Sequence, residues 1–249
     1  MNKQNLLTFI KKYHLAGLVE SVVWKIKDNK LSTKFVLDDQ TLLGKVICNE
    51  FEYEDSDLGI SETSKFIKML SVLDDTFDFS VSKVADKAKT ILMKDNDSNT
   101  KYILSNLDLI NTRIPVPANI GDPSIKIEMT ADFINKFIKA KASFEKCDSF
   151  YITADELTNE CKVVLTEGGA ESIEGQSSVE TNNTISINVN TLELADVNKV
   201  SVNAVLFKDI IDANKDFTEC TFDVYKKGLI HLTFKNELYT SDYHLVSMQ

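Results

Sequence analysis

Glu50, Glu52 and Glu54 alternate along the chain, so a β-strand would set their carboxylates on one face, where they could hold a cation. A solvated strand face explains the same alternation more simply. Asp95-Asn96-Asp97-Ser98-Asn99 opens like a calcium loop, which needs glycine at its sixth position and glutamate at its twelfth. Those positions hold Thr100 and Asn106, so the segment reads as a turn. Gly168-Gly169 lacks the lysine and hydroxyl of a phosphate loop. His14, His231 and His244 stand alone and match no nucleophile motif; His14 suits a helix C-terminus, where its charge opposes the dipole. Cys48, Cys147, Cys161 and Cys220 have no C-x-x-C spacing, which argues against a zinc site or disulfide framework and for a reducing compartment. No catalytic set, metal or cofactor is expected.

The regular chemistry is lysine on amphipathic helices. Four segments carry apolar residues at three- and four-residue spacing. The first, about Asn2 to Tyr13, sets Leu6, Leu7, Ile10 and His14 on one side and Thr8 and Lys12 on the other. The second, about Ser61 to Leu73, takes Ser61 as N-cap, with Phe66, Ile67 and Leu70 inward and Lys65 and Lys68 outward. In the third, about Thr130 to Phe144, Thr130 is the cap. Phe133, Ile134, Phe137 and Ile138 form its stripe, and Lys136, Lys139 and Ser143 lie opposite. The fourth, about Asn203 to Asn214, turns Leu206, Phe207 and Ile210 inward and Lys208, Asp212 and Lys215 outward.

Strand-like alternation fills the intervals. Ser21 to Lys27, Lys30 to Leu37 and Leu42 to Tyr53 follow the first helix; Phe77 to Ser82, Lys89 to Lys94 and Lys101 to Asn106 follow the second. Ser124 to Met129 leads into the third helix. Ser149 to Ala154, Cys161 to Glu167, a polar strand or loop near Glu171 to Glu180, and Thr184 to Val189 come next. Thr221 to Tyr225, Leu229 to Phe234 and Leu238 to Leu245 close the chain. Each half reads helix, three or four strands, helix, three strands. The join, Asn111 to Pro123, holds all 3 prolines and favours an extended connector. The expected fold class is α+β, in two similar domains, 1–115 and 116–249, each with two helices packed on antiparallel sheets.

Charge narrows the function. The 249 residues include 38 acidic and 28 basic ones, a net charge of -10, which excludes a protein whose entire surface grips nucleic acid. It leaves room for lysines gathered on one face. Acidic residues gather instead on strands and loops: Glu50, Glu52, Glu54, Asp55, Asp57, Glu156, Glu160, Glu167, Glu171, Glu174 and Glu180. Lysine-faced helices would offer phosphate a weak, sequence-independent attraction, and acidic strands would repel it elsewhere. Arg113 is the only arginine, so planar bidentate gripping is not the mode. Met1 to Gly17 has no apolar run of signal-peptide length, and no run nears the roughly 20 residues of a membrane helix, so a cytoplasmic, membrane-free protein is expected.

This organisation resembles the DNA sliding clamps. The resemblance rests on two halves of helix-strands-helix-strands, lysine-faced helices in an acidic chain, Phe66 to Asp75 followed by a strand, and the connector Arg113-Ile114-Pro115-Val116-Pro117. Length and two-domain form are similar to proliferating cell nuclear antigen and to the trimeric clamps of tailed phages. The resemblance implies a closed head-to-tail homotrimeric ring around double-stranded DNA, tethering a DNA polymerase and opened by a clamp loader. The compartment would be the host cytoplasm for a phage protein. It implies no catalysis, DNA-facing Lys12, Lys65, Lys68, Lys136, Lys139, Lys208 and Lys215, and a partner-peptide pocket drawn from Ile114, Val116, Tyr243, Leu245 and Val246. It also implies sheet pairing between protomers, Lys101 to Leu109 of one meeting Ser172 to Val189 of the next. The alternatives are a β-rich structural or assembly protein of a virus and an enzyme with an unrecognised site.

Overall fold

Helices form where the apolar stripes demanded them. In the computed structural model these are α1 (Lys3–His14), α2 (Thr63–Leu70), α3 (Ala131–Ser143) and α4 (Ala204–Ala213). The structure describes residues 1–111, 114, 121–144, 146–167, 182–195 and 197–248, apart from the side chain of Asn198. The chain divides into two units: Met1–Asp38, Leu43–Pro115 and Lys235–Ser241 in the first, and Asp39–Leu42, Val116–Phe234 and Asp242–Gln249 in the second.

After α1 the first unit runs β1 (Val22–Lys27), β2 (Lys30–Val36), β3 (Leu42–Cys48) and β4 (Ser56–Ile60). After α2 come β5 (Asp78–Val84), β6 (Lys87–Lys94) and β7 (Asn99–Ile103). Its two antiparallel sheets have the orders β4-β1-β2-β3 and β5-β6-β7. Asp28 and Asn29 both take positive φ, 53° and 57°, the backbone of a two-residue hairpin between β1 and β2.

The second unit runs β8 (Ile125–Ile127), α3, β9 (Ser149–Asp155), β10 (Glu160–Thr166), β11 (Thr184–Asn188), β12 (Thr191–Leu194), β13 (Val197–Asn203), α4, β14 (Glu219–Tyr225), β15 (Leu229–Lys235) and β16 (Tyr239–Val246). Its strands pair in the orders β11-β10-β9-β13 and β12-β8-β14-β15-β16. In each unit, three consecutive strands form an antiparallel meander, and a later strand pairs beside the first of them. The α+β duplication read from the sequence is therefore one of topology.

Aromatic rings fill both cores. In the first unit, edge-to-face contacts run from Phe9 to Trp24 (5.8 Å), Trp24 to Phe66 (5.3 Å) and Phe66 to Tyr102 (4.8 Å). In the second, Phe207 packs on Phe137 (4.9 Å), Phe150 (5.0 Å) and Phe222 (5.2 Å).

Several local expectations are corrected. β3 ends at Cys48, so Glu50, Glu52 and Glu54 lie in the loop before β4, pulled there by burial of Phe51. β4, β12 and β13 have no clear signature in the sequence, being short or mixing polar and apolar residues without clean alternation. Ser61 does not cap α2. The N-cap is Glu62, at φ 56°, which makes no side-chain cap bond. Glu20 caps from a distance instead: its Oε2 accepts from Ser64 N at 2.9 Å and its Oε1 meets the Ser64 hydroxyl and His14 Nε2. These bonds lower the Glu20 pKa against the opposing effect of burial. Thr130 caps α3 as read, its hydroxyl accepting from Phe133 N at 3.1 Å.

Candidate nucleic-acid interface

Each helix buries one stripe and leaves another open. On α1 the buried stripe is Leu6, Phe9, Ile10 and Tyr13, and the exposed residues include Gln4 and Lys11. Lys12 corrects the sequence reading. It is 2% exposed, and its Nζ lies 5.2 Å from the centroid of the Tyr239 ring, whose hydroxyl donates to Asn5 O at 2.8 Å. A buried ammonium over an aromatic face is a packing element, not a phosphate ligand. The overlooked signal was Phe9 and Tyr13 at four-residue spacing. They rotate the core stripe so that Lys11, with Gln4 and Thr8, lies opposite it.

On α2, Lys65 and Lys68 are exposed opposite Phe66 and Leu70. Lys65 pairs with Glu62 at 3.1 Å. On α3, Lys136 pairs with Asp132 at 2.7 Å, one turn away, and Lys139 is exposed. Among the described residues, Lys11, Lys68 and Lys139 have no carboxylate within 4.0 Å. Exposed pairs at three- and four-residue spacing are weak, so Lys65 and Lys136 can exchange their partners for another anion at little cost.

α4 differs. Lys208 Nζ lies 2.7 Å from Asp212 and 4.0 Å from Asp209, and Lys215 meets Asp212 at 2.7 Å. Burial works against ionisation of Asp212, but the two lysines outweigh it and lower its pKa. Burial raises that of Asp209. Two lysines and two aspartates leave this face without net charge.

The acidic residues meant for a periphery are exposed where described: Glu50, Glu52, Glu54, Asp55 and Asp57, with Glu156 and Glu160 beyond β9. Glu171, Glu174 and Glu180 lie outside the described residues. Sorting of charge is partial, because Lys25, Lys27, Lys30, Lys34, Lys87 and Lys89 are exposed on strands. A cavity of about 510 Å³ in the first unit is bordered by Lys25, Lys27, Lys83, Lys87 and Lys89 but also by Asp55, Asp57, Asp86 and Asp108, so it has little net preference for either sign.

The residues offered for a peptide pocket separate. Tyr243 and Leu245 turn into the core of the second unit, where the Tyr243 hydroxyl accepts from Asn214 Nδ2 at 2.9 Å, so neither can receive a peptide. Strand alternation along β16 explains it, since Ser241, Tyr243 and Leu245 share the buried face. Val246 is 53% exposed, Ile114 is partly exposed, and Val116 lies outside the described residues. A groove the sequence reading missed, about 360 Å³, is lined in the first unit by Leu18, Val19, Phe35, Leu37, Leu109 and Ile110. Leu109 is 81% exposed beside it.

On the sheet of the second unit, His231 and His244 stack at 4.2 Å beside Asp223, Thr233 and Asp242. Burial, and then the neighbouring His231, lower the His244 pKa to about 4. The Thr233 hydroxyl donates to Asp242 Oδ1 at 2.9 Å and lies 3.2 Å from His231 Nε2, so these polar groups satisfy one another on the sheet face. Among the described residues no group of three or more His, Cys, Asp or Glu side chains is placed to hold a metal ion, and no helix is long and apolar enough to cross a membrane.

No family model matches the chain, and no curated protein matches it in sequence. Solved structures do. Proliferating cellular nuclear antigen from Entamoeba histolytica superposes with a TM-score of 0.69 at 15% identity, covering 100% of this chain and 96% of that one. A. fulgidus PCNA, solved with the C-terminal region of FEN-1 bound, superposes with a TM-score of 0.72 at 13% identity, covering 100% and 97%. The fold of this chain is the sliding-clamp fold over its whole length.

Proposed function

We propose that the protein is a DNA sliding clamp that encircles duplex DNA without sequence preference and tethers a DNA polymerase, and that it performs no chemistry of its own. One observation carries this reading: the full-length fold match joined to three open helix faces, on α1, α2 and α3, each with an ammonium that no carboxylate among the described residues neutralises. Lys11, Lys65, Lys68, Lys136 and Lys139 are the DNA-facing residues, with Lys208 and Lys215 as weaker contributors. Diffuse lysine attraction suits sliding, because it holds phosphate without fixing register.

The assembly is a head-to-tail homotrimer, each protomer comprising domains 1–115 and 116–249. β7 and β11 support it, since among the described residues each stands at the end of its sheet, and Ile103 on β7 is exposed. An edge of one copy meeting an edge of the next is a heterologous contact that closes into a ring when the rotation permits. The groove at Leu18, Phe35, Leu37 and Leu109 is the seat for a short apolar peptide from the polymerase or clamp loader. The A. fulgidus PCNA structure holds the C-terminal region of FEN-1. A phage origin, with action in the host cytoplasm, rests on the resemblance of the connector and of Phe66 to Asp75.

Electron-microscope images of the purified protein test the reading. Rings with a hole wide enough for a duplex are expected. Monomers at micromolar concentration, or filaments and shells of the kind a virion component builds, would contradict it.

A further inference from the structure

We propose that Asp212 is a charge governor on α4, offsetting Lys208 and Lys215 so that these lysines add only weakly to the attraction for duplex DNA and the grip stays weak enough for sliding. The inference rests on the DNA-facing reading of the helices and deepens it.

The spacing makes the device. Lys208 and Asp212 stand one turn apart on α4, and Lys215, in the turn just past the helix end, reaches back to the same carboxylate. The single carboxylate stands 2.7 Å from each ammonium, and Asp209 adds a second carboxylate 4.0 Å from Lys208. Among the described residues, α2 pairs Lys65 and leaves Lys68 open, and α3 pairs Lys136 and leaves Lys139 open, whereas Lys208 and Lys215 at α4 are both paired. The pairing is also better held. The side chains of Asp212 and Asp209 are 27% and 19% exposed, against 66% for Glu62 and 73% for Asp132. A partly buried carboxylate is less screened by water, so it competes with phosphate for the lysines more strongly than an open one. Neutralising Asp212 would free Lys215 and leave Lys208 only the more distant Asp209 carboxylate, without adding any cation.

The test uses the full-length protein and a short fluorescent duplex of random sequence, titrated by anisotropy from 20 to 200 mM NaCl. Asp212→Asn keeps the shape and removes the charge. It is expected to tighten binding at low salt and to steepen the slope of log K against log salt by about 0.9 for each freed lysine that reaches a phosphate. Asp209→Asn should act in the same direction and less. A triple change, Asp212→Asn with Lys208→Gln and Lys215→Gln, should abolish the gain, which separates released lysines from any general loosening of the fold. If Asp212→Asn leaves the slope unchanged while Lys139→Glu reduces it, the governor is refuted and the DNA-facing reading stands. If neither variant moves the slope, both fall.

Discussion

α2 and α4 occupy corresponding places in their units, yet they treat lysine in opposite ways. α2 holds Lys68 open to solvent; α4 ties Lys208 and Lys215 to one carboxylate. The buried sides of the two helices are alike in kind, with Phe66 against Trp24 and Phe207 against Phe150, both ring contacts near 5 Å. Packing constrains the inner face, because a lost ring leaves a cavity. Nothing in packing constrains the outer face, so its charge is free to be set by function. The repeat therefore fixes where cations can be placed, while neighbouring aspartates decide how strongly they act.

The comparison breaks most visibly in the cores. Phe207→Ala removes a ring that touches Phe137, Phe150 and Phe222 and should cost about 4 kcal/mol by urea denaturation. Trp24→Ala should cost a similar amount in the first unit. A loss below about 1 kcal/mol in one unit only would show that the two cores are not equivalent.

The units also differ in pH response. His244 titrates near 4 in the folded chain, against 6.5 ordinarily. Between those values the unfolded chain holds a proton that the folded chain refuses, so stability falls as pH drops from about 6.5 towards 4. Allowing for partial solvent screening, the loss should be about 2 kcal/mol, and His244→Phe should flatten it in denaturation curves at pH 7 and pH 5. In the first unit, the lowered Glu20 pKa means that its cap of α2 is present above the ordinary carboxylate range and lost as pH falls through the folded value. Glu20→Ala should cost about 1 kcal/mol at neutral pH, with faster hydrogen exchange at Ser64 and Lys65. Unchanged exchange there would remove Glu20 as the cap.

Surface lysines should have the smallest effect on stability. Lys68→Glu and Lys139→Glu should each stay within about 0.5 kcal/mol of the parent, yet each should lower the DNA salt slope by about 0.9 or more. Lys208→Glu should lower it less, since that ammonium is already compensated. Equal effects at all three positions would erase the distinction between α2 and α4.

The helices were legible because their apolar stripes repeat at the helical period, and Thr130 was legible because a hydroxyl three residues before Phe133 is a local signal. Much of what escaped was long-range. Lys12 is buried by Tyr239, more than two hundred positions along the chain, and no local rule encodes that contact. Glu20 caps a helix 43 residues ahead through its fold position. Tyr243 and Leu245 alternate with Ser241 at strand spacing, a local sign of a buried face rather than of a pocket. The neutral face of α4 could have been read from Lys208, Asp212 and Lys215 at helical spacing, which places the aspartate between the two lysines.

Topological retention tests the central proposal most directly. A linear duplex is anchored at one end, the protein is allowed to thread on, the free end is blocked with a bulky adduct, and the sample is washed in high salt. The ring account predicts that protein remains on the blocked duplex and leaves when the duplex is cut between protein and block. Equal loss from blocked and open duplexes would contradict it.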